Sequence, residues 1–93
     1  MSEFVTVYTL EHCPFCVRAK NLLAANEIVF REIRVSDDDR CTKDELEERS
    51  GLKTFPQIFL GNKVIGGFSH LQELDREQGI KQLVKKMTID KIT

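Results

Sequence analysis

The stretch Cys13-Pro14-Phe15-Cys16 is where this 93-residue sequence places its most chemically active residues. Two cysteines at this spacing, the first just outside a helix and the second in its first turn, can reach the roughly 3.5–4.5 Å Cβ separation a disulfide needs. Such a pair opens and closes reversibly. Cys13 falls where free amides and the positive end of a helix dipole favour an anion, so it is read as the thiolate nucleophile. Cys16, further along on the inner face, is read as the resolving thiol. A zinc site would need four ligands, and Cys41, His12 and His70 are scattered, so no metal is expected. A static four-residue disulfide would gain little from chain entropy. Two ordinary buried thiols are the remaining bland reading, and a C-x-x-C pair in a β-α-β context favours redox chemistry over it.

Two further features point the same way. Thr54-Phe55-Pro56-Gln57-Ile58-Phe59 sets a proline directly before a strand; a cis bond there would leave the Phe55 backbone free to pair with an extended peptide. Gly66-Gly67-Phe68-Ser69 brings bare amides to a helix start, an anion site suited to a carboxylate. A thiol, a strand-like dock and a carboxylate cradle together describe a site for a small thiol peptide with a charged end.

The elements that must position these groups follow from periodicity. Phe4 to Leu10 is β-branched and aromatic on both faces, as in a central strand. From Pro14, Cys16, Ala19, Leu22 and Leu23 share one helical arc, and Pro14 suits a first helical turn. Ile28 to Val35, broken by Arg31, Glu32 and Arg34, reads as a strand near a sheet edge. Asp37-Asp38-Asp39 marks a loop, and Thr42 with Glu45 forms a capping-box signal for a helix that ends near Gly51. Its acidic surface is read as a solvated face. Gly61-Asn62 between Gln57–Leu60 and Lys63–Gly66 predicts a β-hairpin. Ser69 with Gln72 repeats the capping signal, Gly79 interrupts that helix, and Ile80, Leu83, Val84 and Met87 form an apolar stripe. The expected order is β-α-β-α-β-β-α-α: an α/β fold with a mixed four-stranded sheet and helices packed on it.

Composition bounds the rest. Ninety-three residues suit a single domain over 1–93, with 14 Lys+Arg against 15 Asp+Glu. That balance argues against nucleic acid as a partner. A charged content of 31% and no apolar run of membrane length argue against a membrane span. Three cysteines make an awkward secreted framework, and the first ten residues lack the basic start of a signal peptide, so a cytoplasmic protein is expected.

With these motifs in order, the chain resembles the dithiol glutaredoxins of the thioredoxin fold from about Phe4 to Met87. The resemblance rests on Tyr8-Thr9, Cys13-Pro14-Phe15-Cys16, Thr54-Phe55-Pro56-Gln57-Ile58-Phe59 and Gly66-Gly67-Phe68-Ser69. It implies a monomeric oxidoreductase that reduces protein disulfides and glutathione mixed disulfides, with glutathione as reducing co-substrate and no permanently bound cofactor. It implies catalysis by Cys13 and Cys16, and glutathione binding by Phe15, Lys53, Thr54, Phe55, Pro56, Gly67, Phe68 and Ser69. Two other implied roles are an electron donor reduced by thioredoxin reductase, for example for ribonucleotide reductase, and a glutathione-ligated iron-sulfur carrier, against which Pro14 counts.

Departures from the family pattern are informative. The lysine common three residues before the first cysteine is Leu10, which leaves Lys53, or more weakly Arg18, to meet a carboxylate of glutathione. The common tyrosine is Phe15, and the common valine before the proline is Phe55. The acidic residue often found after the glycine pair is His70, whose protonation would repel the γ-glutamyl ammonium and weaken binding towards acidic pH. His12 is expected either to support the thiolate as imidazolium or to face solvent. Cys41 is expected to be an incidental thiol, open to glutathionylation if exposed.

Overall fold

A computed structural model describes residues 5–77, 79, 80 and 82 of the chain. The elements run β1 (Val5–Leu10), α1 (Pro14–Ala25), β2 (Phe30–Val35), α2 (Arg40–Ser50), β3 (Gln57–Leu60), β4 (Lys63–Gly66) and α3 (Phe68–Glu77). They build one sheet in the order β2-β1-β3-β4. β1 pairs parallel with β2 and antiparallel with β3, and β3 pairs antiparallel with β4. This is the expected mixed four-stranded sheet of the thioredoxin-like fold, with β1 internal and the charged β2 at an edge.

Strand alternation decides which helix covers which face. Val5 and Val7 of β1 and Ile58 and Leu60 of β3 meet Ala19 and Leu23 of α1 and Leu71 of α3, together with Ile80. Residues of opposite parity, Tyr8, Leu10 and Phe59, meet Val35 and Leu46 on the α2 side. The second layer is thin because α2 buries only Leu46. Two contacts supplement it: the Tyr8 and Phe59 rings meet edge to face at 5.5 Å, and the Arg49 guanidinium lies 4.9 Å from the Phe59 centroid.

Helix starts differ from the sequence expectation in two places. Asp39, not Thr42, caps α2: its carboxylate accepts from the Thr42 amide at 3.0 Å and the Thr42 hydroxyl at 2.7 Å. The two carboxylate oxygens take one donor each, Oδ1 the amide and Oδ2 the hydroxyl, which leaves Thr42 inside the first turn as a donor to the cap. The other end is as expected, with Gly51 at φ 77° donating to the Glu47 carbonyl. α3 likewise starts one residue before Ser69, at Phe68, and the Leu71 amide donates to the Gly67 carbonyl. Ser69 therefore lies inside the first turn and does not cap it.

The hairpin between β3 and β4 forms across Gly61-Asn62, with a bulge where Ile58 pairs with Gly66 and Phe59 with Val64. After α3, Gly79 takes φ 83° and donates to the Leu74 carbonyl. Phe4 and the end of the expected apolar stripe, Leu83, Val84 and Met87, lie outside the described residues. Among the described residues, no helix is long and apolar enough to cross a membrane.

Candidate active site

The turn after β1 delivers Cys13 to the N-cap of α1. Cys13 is extended (φ −109°, ψ 102°), Pro14 follows in the first turn, and the Cys13 carbonyl accepts from the amides of Cys16 and Val17. Its sulfur accepts from the Cys16 amide at 3.2 Å, so a helix-start donor points at the atom on which negative charge would rest. Cys13 is half-buried and Cys16 buried, both as free thiols. Burial, more than any other cause, pushes the Cys16 thiol up to about 12; its hydrogen bond with Cys13 adds to this, while the Leu10 backbone and Lys20 act the other way. The pair is thus asymmetric: one sulfur at the surface under an amide, the other sequestered as a thiol.

The Phe55-Pro56 bond is cis, and the Cys13 thiol donates to the Phe55 carbonyl at 3.8 Å. Two segments distant in sequence therefore meet at the reactive sulfur. Phe55 also lines a groove of about 500 Å³, together with Phe15, Thr54, Pro56, Gly67, Phe68, Ser69 and His70, while the two cysteines line a separate recess along α1. The start of α3 is part of the groove's lining, and the first-turn amides there have no partner within the helix. The Phe15 and Phe68 rings lie 5.8 Å apart, and Arg18 extends over Phe15, 5.7 Å from its centroid.

Seven of the eight residues expected to bind glutathione therefore share one groove, and Lys53 is the exception. It lines a neighbouring polar recess of about 450 Å³ with Arg40 and the acids of α2, meeting the groove at Phe55. His70 packs beside Gly66, where a β-carbon would stand 2.8 Å from the His70 Cβ. His12 takes the left-handed conformation (φ 58°), its ring 89% exposed and 3.9 Å from the Glu11 carboxylate. Leu10 packs into the α2-side layer. Cys41 is exposed on α2, and among the described residues no cluster of His, Cys, Asp or Glu could hold a metal ion.

Two arrangements were not anticipated from sequence. Gln57, 1% exposed, accepts from the Ser50 hydroxyl and donates to the carbonyls of Leu52 at 3.0 Å and Thr54 at 3.2 Å. It thereby ties down the segment that forms the groove wall before Pro56. The signal was a glutamine at a strand start where a core residue was due. On the opposite side of α1, Thr9, Lys20 and Glu32 form a hydrogen-bonded set beside the dithiol. The i, i+4 spacing of Cys16 and Lys20 was its only trace in the sequence.

Comparisons with known proteins agree with this geometry. The family model described as Glutaredoxin matches residues 5–65. Glutaredoxin 3 of Escherichia coli K12 is 41% identical over 81 residues, covering 87% of this chain and 96% of its own. The solution structure of a glutaredoxin from Brucella melitensis superposes with a TM-score of 0.77 at 40% identity, covering 90% of each chain. A buckwheat glutaredoxin in complex with glutathione shares the fold with a TM-score of 0.81 at 23% identity, covering 90% of this chain and 78% of its own. With the family model spanning both the Cys13–Cys16 turn and the Phe55-Pro56 turn, the chain belongs to the glutaredoxin family and is a thiol-disulfide oxidoreductase of that kind.

Proposed function

We propose that this protein reduces glutathione mixed disulfides and protein disulfides, with glutathione as its electron donor. The observation that carries the reading is the meeting of Cys13 Sγ with the carbonyl of Phe55, a residue that also lines a groove shared with the first turn of α3. A tripeptide thiol bonded to Cys13 would lie along that groove. Its cysteine backbone would pair with Phe55, and its γ-glutamyl carboxylate would meet the first-turn amides of α3 at Phe68 and Ser69, beside Gly67. Phe15, Thr54 and Pro56 supply the walls. Lys53, from the adjoining recess, takes the glycine carboxylate, with no lysine at position 10 to compete for it.

Reduction of a protein disulfide begins when Cys13 thiolate attacks one substrate sulfur, forming a mixed disulfide and releasing the other sulfur as a thiolate that takes up a proton. Cys16 then loses its proton and attacks Cys13 Sγ. The Cys13–Cys16 disulfide forms and the second substrate sulfur leaves as a thiol. Two molecules of glutathione restore the dithiol and are released as glutathione disulfide. A glutathionylated substrate requires Cys13 alone: the glutathione moves to Cys13, and a second glutathione removes it. The protein is expected to work as a monomer.

The test is reduction of a small glutathione mixed disulfide in two coupled systems, one regenerating glutathione and the other supplying thioredoxin reductase. Turnover confined to the glutathione system is expected. Equal or faster turnover with thioredoxin reductase alone would replace this reading with that of an electron donor served by that enzyme.

A further inference from the structure

The resolving step demands a thiolate from the sulfur least able to give one. Cys16 is 2% exposed, and burial holds its proton tightly. Something in the fold must offset that cost as the proton leaves.

A recess of about 330 Å³ lies along α1 and is lined by both Cys13 and Cys16. Its other titratable or charged groups are His12 from the turn, Lys20 from α1, and Glu32 and Arg34 from β2. Lys20 is one helical turn beyond Cys16, a spacing that sets the two side chains on one face with Cβ atoms roughly 5–6 Å apart. Its ammonium is held in place: it donates to both Glu32 oxygens, at 3.1 and 3.2 Å. Glu32 is held in turn by the Thr9 hydroxyl at 2.8 Å, and Thr9 is only 1% exposed on the internal strand. Arg34 reaches the same carboxylate at 3.8 Å, which leaves the set of Lys20, Glu32 and Arg34 with one net positive charge. His12 turns its ring to solvent beside Glu11.

We propose that Lys20, positioned by Glu32 and Thr9, supplies the positive charge that assists Cys16 as it becomes the attacking thiolate. The proposal rests on the dithiol mechanism above. The Cys16 proton passes to solvent through the open recess, the Cys16–Cys13 bond forms, and the bond from Cys13 to substrate breaks with its electron pair on the departing sulfur. Lys20 remains an ammonium throughout. It acts on Cys16 through its charge and takes no part in the bonds made or broken, so Glu32 and Thr9 are positioning residues and Lys20 is an electrostatic one.

The step can be isolated without glutathione. One equivalent of 2,2′-dithiodipyridine, a neutral disulfide, is added to protein carrying Cys41→Ser, which removes the exposed third thiol. Cys13 attack releases the first pyridinethione and Cys16 attack the second, giving two absorbance phases. Lys20→Met is expected to slow the second phase about tenfold, equivalent to ~1.4 kcal/mol, and to alter the first by less than about twofold. Lys20→Arg, which keeps the charge and its partner, is expected to recover most of the lost rate. An unchanged second phase, parallel slowing of both phases, or Lys20→Arg as slow as Lys20→Met would each overturn the proposal. A parent protein that releases a single equivalent would overturn the dithiol mechanism itself, and the proposal with it.

Discussion

Gln57 is the residue whose replacement should most clearly connect the fold to the groove. Its side chain makes three hydrogen bonds from a site that is 1% exposed, and two of them hold the carbonyls of Leu52 and Thr54. Gln57→Leu keeps the approximate volume and removes all three. Each such bond contributes a net ~1 kcal/mol, and leaving a carbonyl unpaired in a part-buried site costs ~1–3 kcal/mol. The Ser50 hydroxyl can turn to water, so the loss is dominated by the two carbonyls and should total about 2–4 kcal/mol. With a urea slope near ~1 kcal/mol/M for a small chain, the unfolding midpoint should fall by about 2–4 M. The melting temperature should fall by roughly 10–25 °C. Because the freed segment is the groove wall at Thr54 and Phe55, KM for a glutathione mixed disulfide should rise. Attack by Cys13 on a small neutral disulfide should change little. Gln57→Glu preserves the acceptor for Ser50 and sets a carboxylate against two carbonyls. It should therefore be at least as damaging at neutral pH and recover as acid protonates it, because the folded state holds that proton more tightly. A loss below about 1 kcal/mol for Gln57→Leu would refute this account of the loop.

Two further outcomes follow from the structure. Gly66→Ala places a β-carbon 2.8 Å from the His70 Cβ at a backbone φ of 140°, so it should destabilise the protein by about 1–3 kcal/mol; a change under ~0.5 kcal/mol in urea unfolding would contradict the contact. The Thr9 hydrogen bond, followed by those from Lys20, lowers the Glu32 carboxyl below its usual range. Glu32 therefore stabilises the fold above the unfolded carboxylate range near pH 4.5, and that contribution is lost as pH falls through its lowered folded value. The stability difference between the parent and Glu32→Gln, on the order of 1 kcal/mol for a partly exposed group, should be constant above about pH 5 and shrink on acidification. A difference that grows in acid would reverse this assignment.

Most of the architecture was readable because it depends on local periodicity. The alternation of Val5 and Val7 with Tyr8 and Leu10 identified an internal strand, and Gly61-Asn62 marked a hairpin. Helix starts were less legible. Asp39 and Thr42 are both plausible caps, and the choice depends on which side chain can reach two donors once the loop is formed. In the site, Cys13, Cys16 and Pro56 stood out because few residue types can take their roles. Lys53 was expected with its sequence neighbours, but it lines the α2 recess, which meets the groove at Phe55. Gln57 and Lys20 looked like ordinary polar residues, since the partners that give them purpose come from the Ser50–Thr54 segment and from β2, and only folding brings these together.

Paired cysteine variants separate the roles of the two sulfurs in the dithiol. Turnover of a glutathione mixed disulfide and of a protein disulfide would be measured with Cys13→Ser and with Cys16→Ser. The account predicts that Cys13→Ser abolishes both reactions, and that Cys16→Ser loses protein-disulfide reduction while retaining deglutathionylation. Equal loss of both activities in Cys16→Ser, or survival of either in Cys13→Ser, would contradict it.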